Sequence, residues 1–128
     1  MLDLDKFKKI NDTYGHLYGD YILQEVGKII KENVRTIDVV GRFGGEEFSV
    51  ILVNTNVRDC IPLAKRIVEG INRKTFIFDG IATNLTISAG MSGYPSMSKQ
   101  SKELIKMADE AMYQTKKKGG NDVTIFQS

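Results

Sequence analysis

Cysteine, tryptophan and proline are almost missing from this chain, and so is any large excess of charge. Among 128 residues there are one cysteine (Cys60), one histidine, two prolines and no tryptophan. A lone cysteine excludes a disulfide framework and suits a reducing, cytoplasmic compartment. No apolar run approaches the ~20 residues that a bilayer-spanning helix needs, and no signal-peptide pattern opens the chain. A formal net charge of +2 argues against a nucleic-acid binder, which presents a strongly basic face. What remains is ordinary for a soluble globular protein, with 41% hydrophobic and 27% charged residues. The length suits a single domain over residues 1–128, without internal repeats or linkers.

The most informative stretch is Arg42-Phe43-Gly44-Gly45-Glu46-Glu47-Phe48. Apolar residues Val39, Val40 and Phe43 lead into it, and Phe48, Val50, Ile51, Leu52 and Val53 lead out. The pattern predicts two antiparallel strands joined at Gly44-Gly45, with glycine supplying the positive φ of a tight hairpin. Glu46 and Glu47 put two carboxylates at the turn, a ligand type suited to hard divalent cations. The two bare glycine backbones leave room for a bulky polyphosphate. Alone, Gly-Gly-Glu-Glu is equally a solvated turn. A second acidic stretch, Leu2-Asp3-Leu4-Asp5, favours a metal held between strands.

Met1 to Asp5 reads as the end of a strand, and so short a start suggests a fragment of a longer protein. Asp5 to Asp12 reads as a short helix with Asp5 as N-cap and Gly15 beyond its end. Ile22, Leu23, Val26, Ile29, Ile30 and Val34 predict a helix from about Asp20 to Arg35, with Asp20 as its cap. The hairpin spans Asp38 to Val53. A helix follows over Arg58–Arg73, with Pro62 in its first turn. Phe76–Phe78 and Asn84–Met91 read as strands around a turn at Asp79-Gly80. A helix over Ser101–Lys117 carries Leu104, Ile105, Ala108, Ala111, Met112 and Thr115 as its apolar stripe, and Val123–Phe126 closes as a strand. The expected class is therefore an α/β (α+β) sandwich, with a mixed, mostly antiparallel central sheet flanked by helices.

These residues resemble the GGDEF domain, the diguanylate cyclase family. Gly44-Gly45-Glu46-Glu47-Phe48 is the Glu variant of the motif that names it. Asp3-Leu4-Asp5-Lys6-Phe7-Lys8-Lys9-Ile10-Asn11-Asp12 is similar to the family's first motif, continued by Gly15-His16 and Gly19-Asp20. Asn84 to Gly90 and Ala108 to Lys116 match further stretches, so the likeness covers essentially the whole chain.

The resemblance implies a palm-like fold shared with nucleotidyl cyclases and polymerases, and condensation of two GTP into cyclic di-GMP with release of pyrophosphate. One domain would hold one GTP, so two would face each other in a homodimer. Asp3, Glu46 and the Leu4 carbonyl match the metal contacts, for Mg²⁺ or Mn²⁺. Glu46 also matches the residue credited with accepting the hydroxyl proton, assisted by Glu47. Asn11 and Asp20 match the pair that reads guanine. Asp20 accepts from the base N1–H and 2-amino group, and Asn11 bonds the base edge. Phe7, Lys8, His16 and Lys116 match the substrate side, where Gly44 and Gly45 also lie. Arg35 and Asp38 form an RxxD element that, with Arg66, matches an inhibitory product site for cyclic di-GMP. The plain alternatives are caps for Asn11, Asp20, Arg35 and Asp38, a loop residue for His16 and a solvated helix end for Lys116-Lys117-Lys118.

Two departures stand out. Gly120 occupies the place of an arginine usual in the family, which removes a bidentate phosphate contact. The first helix and most of the first strand of the family are absent before Asp3. The full protein is expected to carry them, behind an N-terminal sensory or dimerising domain that allows membrane anchoring. Beside the enzyme stands a second reading, a non-catalytic module that senses GTP or cyclic di-GMP. A third, a palm acting on nucleic acid, is disfavoured by the near-neutral charge.

Overall fold

The computed structural model describes residues 1–127. Its strands are β1 (Leu2–Leu4), β2 (Val39–Arg42), β3 (Glu47–Ile51), β4 (Phe76–Phe78), β5 (Ile81–Thr83), β6 (Ile87–Met91) and β7 (Val123–Ile125). Its helices are α1 (Phe7–Tyr14), α2 (His16–Asn33), α3 (Ile61–Arg73) and α4 (Ser101–Lys117), with a 3₁₀ turn at Val57–Cys60. Five strands form the main sheet in the order β2-β3-β1-β6-β7, and β4 and β5 pair as a separate hairpin. Every pairing in the main sheet is antiparallel except β6 with β7, which α4 connects. A parallel neighbour needs such a crossover, whereas β2 and β3 need only a turn. The mixed, mostly antiparallel sheet with helices is as the sequence predicts.

Residue alternation along β1 decides how the site forms. Leu2 and Leu4 are 5% and 1% exposed and enter the core. Asp3 between them points to the opposite face, as the two-residue period of a strand requires. Ile22, Val26 and Ile30 of α2 recur every four residues, are fully buried, and pack in one cluster with Leu4, Phe48, Ile67, Ile71 and Ile87. Each such side chain contributes on the order of 1.5–3 kcal/mol by leaving water. Tyr18 ties the small hairpin to α2, since its hydroxyl lies 3.1 Å from the carbonyl oxygens of Phe76 and Ile81 and 2.8 Å from Thr83 Oγ1.

Several local expectations are corrected. Asp5 does not cap α1: Lys6 takes the N-cap position at φ 58°, and the Asp5 carboxylate turns away to the hydroxyls of Thr86, just before β6, and Ser88 within it. Asp20 does not start α2, which begins four residues earlier at His16. The two helices are separated by Gly15 alone, at φ 92°. Gly19, just before the expected cap, lies inside α2, and the helix crosses α1 there at close range. A Cβ at Gly19 would fall 1.9 Å from Asn11 Oδ1. Gly44 and Gly45 make the expected hairpin, but neither has a positive φ. The turn is closed by the Phe43 amide donating to Glu47 O at 2.9 Å. The third helix starts at Ile61, after the 3₁₀ turn. Ile105, assigned to the apolar stripe of α4, is 41% exposed.

Candidate active site

The centre of the sheet brings the acidic residues together. Asp3 on β1 pairs in register with Glu47 on β3 and with Ser88 on β6. The Leu4 amide donates to Glu46 O at 3.4 Å, which fixes the glycine turn beside β1. Burial pushes the Asp3 carboxyl up to about 6; nearby Lys116 opposes this, and the negative charges of Glu46, Glu47 and Asp5 add to it. Burial and the surrounding carboxylates thus outweigh the one nearby cation, Lys116. Asp3 Oδ1 is buried without a hydrogen-bond partner.

Asp5 behaves in the opposite way. It accepts from Thr86 Oγ1 at 2.6 Å, Ser88 Oγ at 2.7 Å, the Asn121 amide at 3.0 Å and Lys116 Nζ at 3.1 Å. Burial pushes its pKa up, but these hydrogen bonds outweigh burial and hold it below the ordinary carboxylate value. Asp5 is thus the fixed point that joins β1, β6, α4 and the loop after α4. That loop explains the missing arginine. Gly120 lies at φ 74°, and a Cβ there would fall 2.6 Å from Asp5 Oδ2.

Lys116 reaches back from the end of α4 to the same place. Its ammonium donates to Leu4 O at 3.2 Å and to Asp5 Oδ1, and lies 3.7 Å from Asp3 Oδ1. Lys117, one residue on, is exposed and sits 4.9 Å over the Tyr113 ring. Of the expected lysine cluster, only Lys116 enters the site.

The α1–α2 corner holds the expected base-reading pair. Asn11 on α1 is half-buried against Gly19, and its Oδ1 has no hydrogen-bond partner. Asp20 is exposed on the first turns of α2, one residue beyond Gly19. Phe7 is buried beneath this corner, while Lys8 and His16 are exposed. Gly44 and Gly45 are exposed as well. A Cβ on Gly45 would meet nothing within 4 Å, and one on Gly44 would make only ordinary contact with Glu47. With neither a positive φ nor close packing to require glycine, what the two residues provide is bare backbone facing outward.

The RxxD element has a structural occupation of its own. Arg35 donates to Asp38 through Nε at 3.0 Å and Nη2 at 2.8 Å, and also to Val53 O and Thr55 Oγ1. Asp38 accepts from the Arg35 and Val53 amides at 2.8 and 3.0 Å, and its side chain is fully buried. Bonding to Arg35 is the main reason its pKa lies far below the ordinary value. Arg66 is exposed and donates to Asn33 Oδ1 and Asn33 O at 2.9 and 3.1 Å, holding the last turn of α2. The three residues therefore lie along the end of α2, apart from the acidic centre.

Sequence reasoning missed the importance of Asp5, Thr86 and Ser88. The signal was present, since Thr86 and Ser88 alternate on one face of a strand, but their partner is 81 residues away for Thr86. Only the β1–β6 register brings them together.

Comparison with known proteins agrees with this fold. The family profile described as "Diguanylate cyclase, GGDEF domain" matches residues 1–122. Diguanylate cyclase A of Treponema denticola is 45% identical over 128 residues, covering 100% of this chain and 34% of that protein. The crystal structure of the GGDEF domain of PA1120 (YfiN or TpbB) from Pseudomonas aeruginosa superposes with a TM-score of 0.95 at 29% identity, covering 99% of this chain and 80% of that one. The GGDEF domain of DgcB from Caulobacter crescentus, solved in complex with c-di-GMP, superposes at 0.89 with 27% identity, covering 97% and 74%. The chain belongs to the GGDEF domain family. It spans about a third of the length of the Treponema relative.

Proposed function

We propose that this domain is a diguanylate cyclase that condenses two GTP into cyclic di-GMP, as a dimer and with a divalent metal. One observation carries the reading. Among the described residues, only two buried side-chain oxygens lack a hydrogen-bond partner, Asp3 Oδ1 and Asn11 Oδ1. Buried acceptors are normally satisfied. Both orphans lie on residues that the family resemblance assigns to ligands, one to the metal and one to guanine.

Among the described residues no three His, Cys, Asp or Glu side chains converge as a complete metal-binding set. Magnesium does not require one, because it takes one or two carboxylates and fills its octahedron with waters and substrate phosphates. Asp3, Glu46 and the Leu4 carbonyl fit that need, and Asp3 has an unpaired oxygen to offer. Manganese accepts the same oxygens. When bound, the metal would lower the pKa of the attacking 3′-hydroxyl and neutralise phosphate charge. Glu46, at the turn, is the chain's own acceptor for the hydroxyl proton, and Glu47 beside Asp3 supplements the negative field. Gly44 and Gly45 let the triphosphate lie against backbone. Asn11 and Asp20 read the guanine edge, Phe7, Lys8 and Lys116 line the phosphate and ribose side, and His16 stands at the substrate side.

Facing domains follow from stoichiometry, since one such site holds one GTP and the product joins two. Arg35, Asp38 and Arg66 are proposed as an inhibitory product site. There Asp38 must exchange some of its bonds to Arg35 for a guanine edge. Among the described residues no helix is long and apolar enough to cross a membrane, and we place the domain in the cytoplasm. Calorimetric titration tests the base-reading part: GTP should bind at least about tenfold more tightly than ATP, and Asp20→Asn should remove the preference. Equal affinity for both nucleotides would defeat the assignment.

A further inference from the structure

We propose that the Lys116 ammonium is a resident counter-cation of the Asp3–Leu4 cradle, which an entering divalent ion must displace. The inference rests on the metal reading above and adds what holds that site before the metal arrives. Lys116 Nζ has three oxygen neighbours: Leu4 O at 3.2 Å, Asp5 Oδ1 at 3.1 Å and Asp3 Oδ1 at 3.7 Å. An ammonium carries three donors and no acceptor, and here two of them are hydrogen-bonded to Leu4 O and Asp5 Oδ1 while Asp3 Oδ1 completes the surroundings as an ion-pair partner. Two of the three neighbours, Leu4 O and Asp3, are the oxygens proposed for the metal.

Charge and distance oppose joint occupancy. Metal–oxygen bonds to magnesium are about 2.1 Å, so an ion on Leu4 O, itself 3.2 Å from the ammonium, would sit no more than about 5 Å from that ammonium, where like charges repel. The lysine has somewhere to go. Its side chain is 29% exposed, and Asp5 is fixed by Thr86, Ser88 and Asn121 whether or not Lys116 stays. Asp5 is therefore a pivot: the ammonium can keep that bond while it leaves Leu4 O. Its freed donors then face the triphosphate that arrives with the metal. The nucleotide gives the displaced lysine a new partner, so metal and nucleotide favour each other's binding, and without nucleotide the lysine holds metal affinity down.

Manganese binding to nucleotide-free protein, read by electron paramagnetic resonance of the free ion, tests this. Lys116→Met should tighten Mn²⁺ binding by about tenfold or more, whereas Lys117→Gln, removing the same charge one residue away, should change it by no more than about twofold. Equal effects of the two variants, or weaker binding in Lys116→Met, would overturn the displacement. Asp3→Asn separates the two levels of the argument. If Mn²⁺ binding survives Asp3→Asn unchanged, the metal reading itself falls and the inference with it. If binding depends on Asp3 but ignores Lys116, only the inference falls. A second measurement needs no variant. The side-chain ammonium resonance of Lys116, followed by ¹⁵N NMR in the wild type, should shift on saturation with Mg²⁺. A resonance that stays in place overturns the proposal.

Discussion

Replacing Asp5 with alanine is the most demanding test of how the site is built. The carboxylate accepts from two hydroxyls, one amide and one ammonium. Ser88 is fully buried, so its hydroxyl cannot turn to water when the acceptor goes. Removing one partner from a buried, hydrogen-bonded charge network costs about 3–5 kcal/mol, against a total stability of about 5–15 kcal/mol for a domain. Urea unfolding in the presence of a chelator, which keeps metal out of the comparison, reads this directly. With a slope of about 2 kcal/mol per molar urea, the midpoint should fall by about 2 M. Asp5→Asn keeps the volume and part of the hydroxyl bonding, loses the charge facing Lys116, and should fall by less than half as much. A midpoint for Asp5→Ala within about 0.3 M of wild type, an error-sized shift on this slope, would refute the claim that Asp5 joins β1, β6, α4 and the following loop.

Other expected outcomes follow from the same geometry. Asp3→Asn should stabilise the metal-free protein by about 1 kcal/mol, since the cost of burying this carboxylate among other carboxylates outweighs the opposing pull of Lys116, while abolishing Mn²⁺ binding; thermal melts and metal titration check the two halves. Gly19→Ala should raise the KM for GTP about tenfold at nearly unchanged kcat, because its Cβ would fall 1.9 Å from Asn11 Oδ1 and a displaced base-reading residue weakens binding more than chemistry. Arg35→Ala should relieve product inhibition while sparing the initial rate, which progress curves with added cyclic di-GMP will read. The same variant carries a pH signature. The folded pKa of Asp38 is depressed, mainly by bonding to Arg35. The stability this adds is present above the ordinary carboxylate value near 4 and lost as pH falls through the folded value. The gap in stability between wild type and Arg35→Ala should therefore be widest at neutral pH and shrink below pH 4.

Much of this was legible in the sequence, and the exceptions have physical causes. The period of four in Ile22, Val26 and Ile30 located α2, and α4 was bounded correctly from Ser101 to Lys117. The start of α2 was misplaced because Asp20, next to Gly19, reads as a capping carboxylate, and Gly19 is instead an interior residue of the helix. Its true constraint is the close approach of α1, which no local pattern reports. Asp5 looked like a cap because a carboxylate before a helix usually is one. Its partners lie on β6 and beyond α4, and long-range pairing overrode the local preference. The glycine turn was located correctly for a reason that does not hold: Gly44 and Gly45 keep negative φ, and their bareness faces outward. Gly120 showed in the sequence only as a missing arginine, and the close approach of Asp5 to its backbone appears only in the fold.

The central claim is that Asp3 and Glu46 serve one metal-dependent condensation of GTP. Incubation of the protein with GTP and Mg²⁺, followed by chromatography for cyclic di-GMP and the linear dinucleotide, tests it most directly. The account predicts product from the wild type, and none from Glu46→Gln although that variant melts at the wild-type temperature. Product formation that persists in a folded Glu46→Gln protein would contradict it.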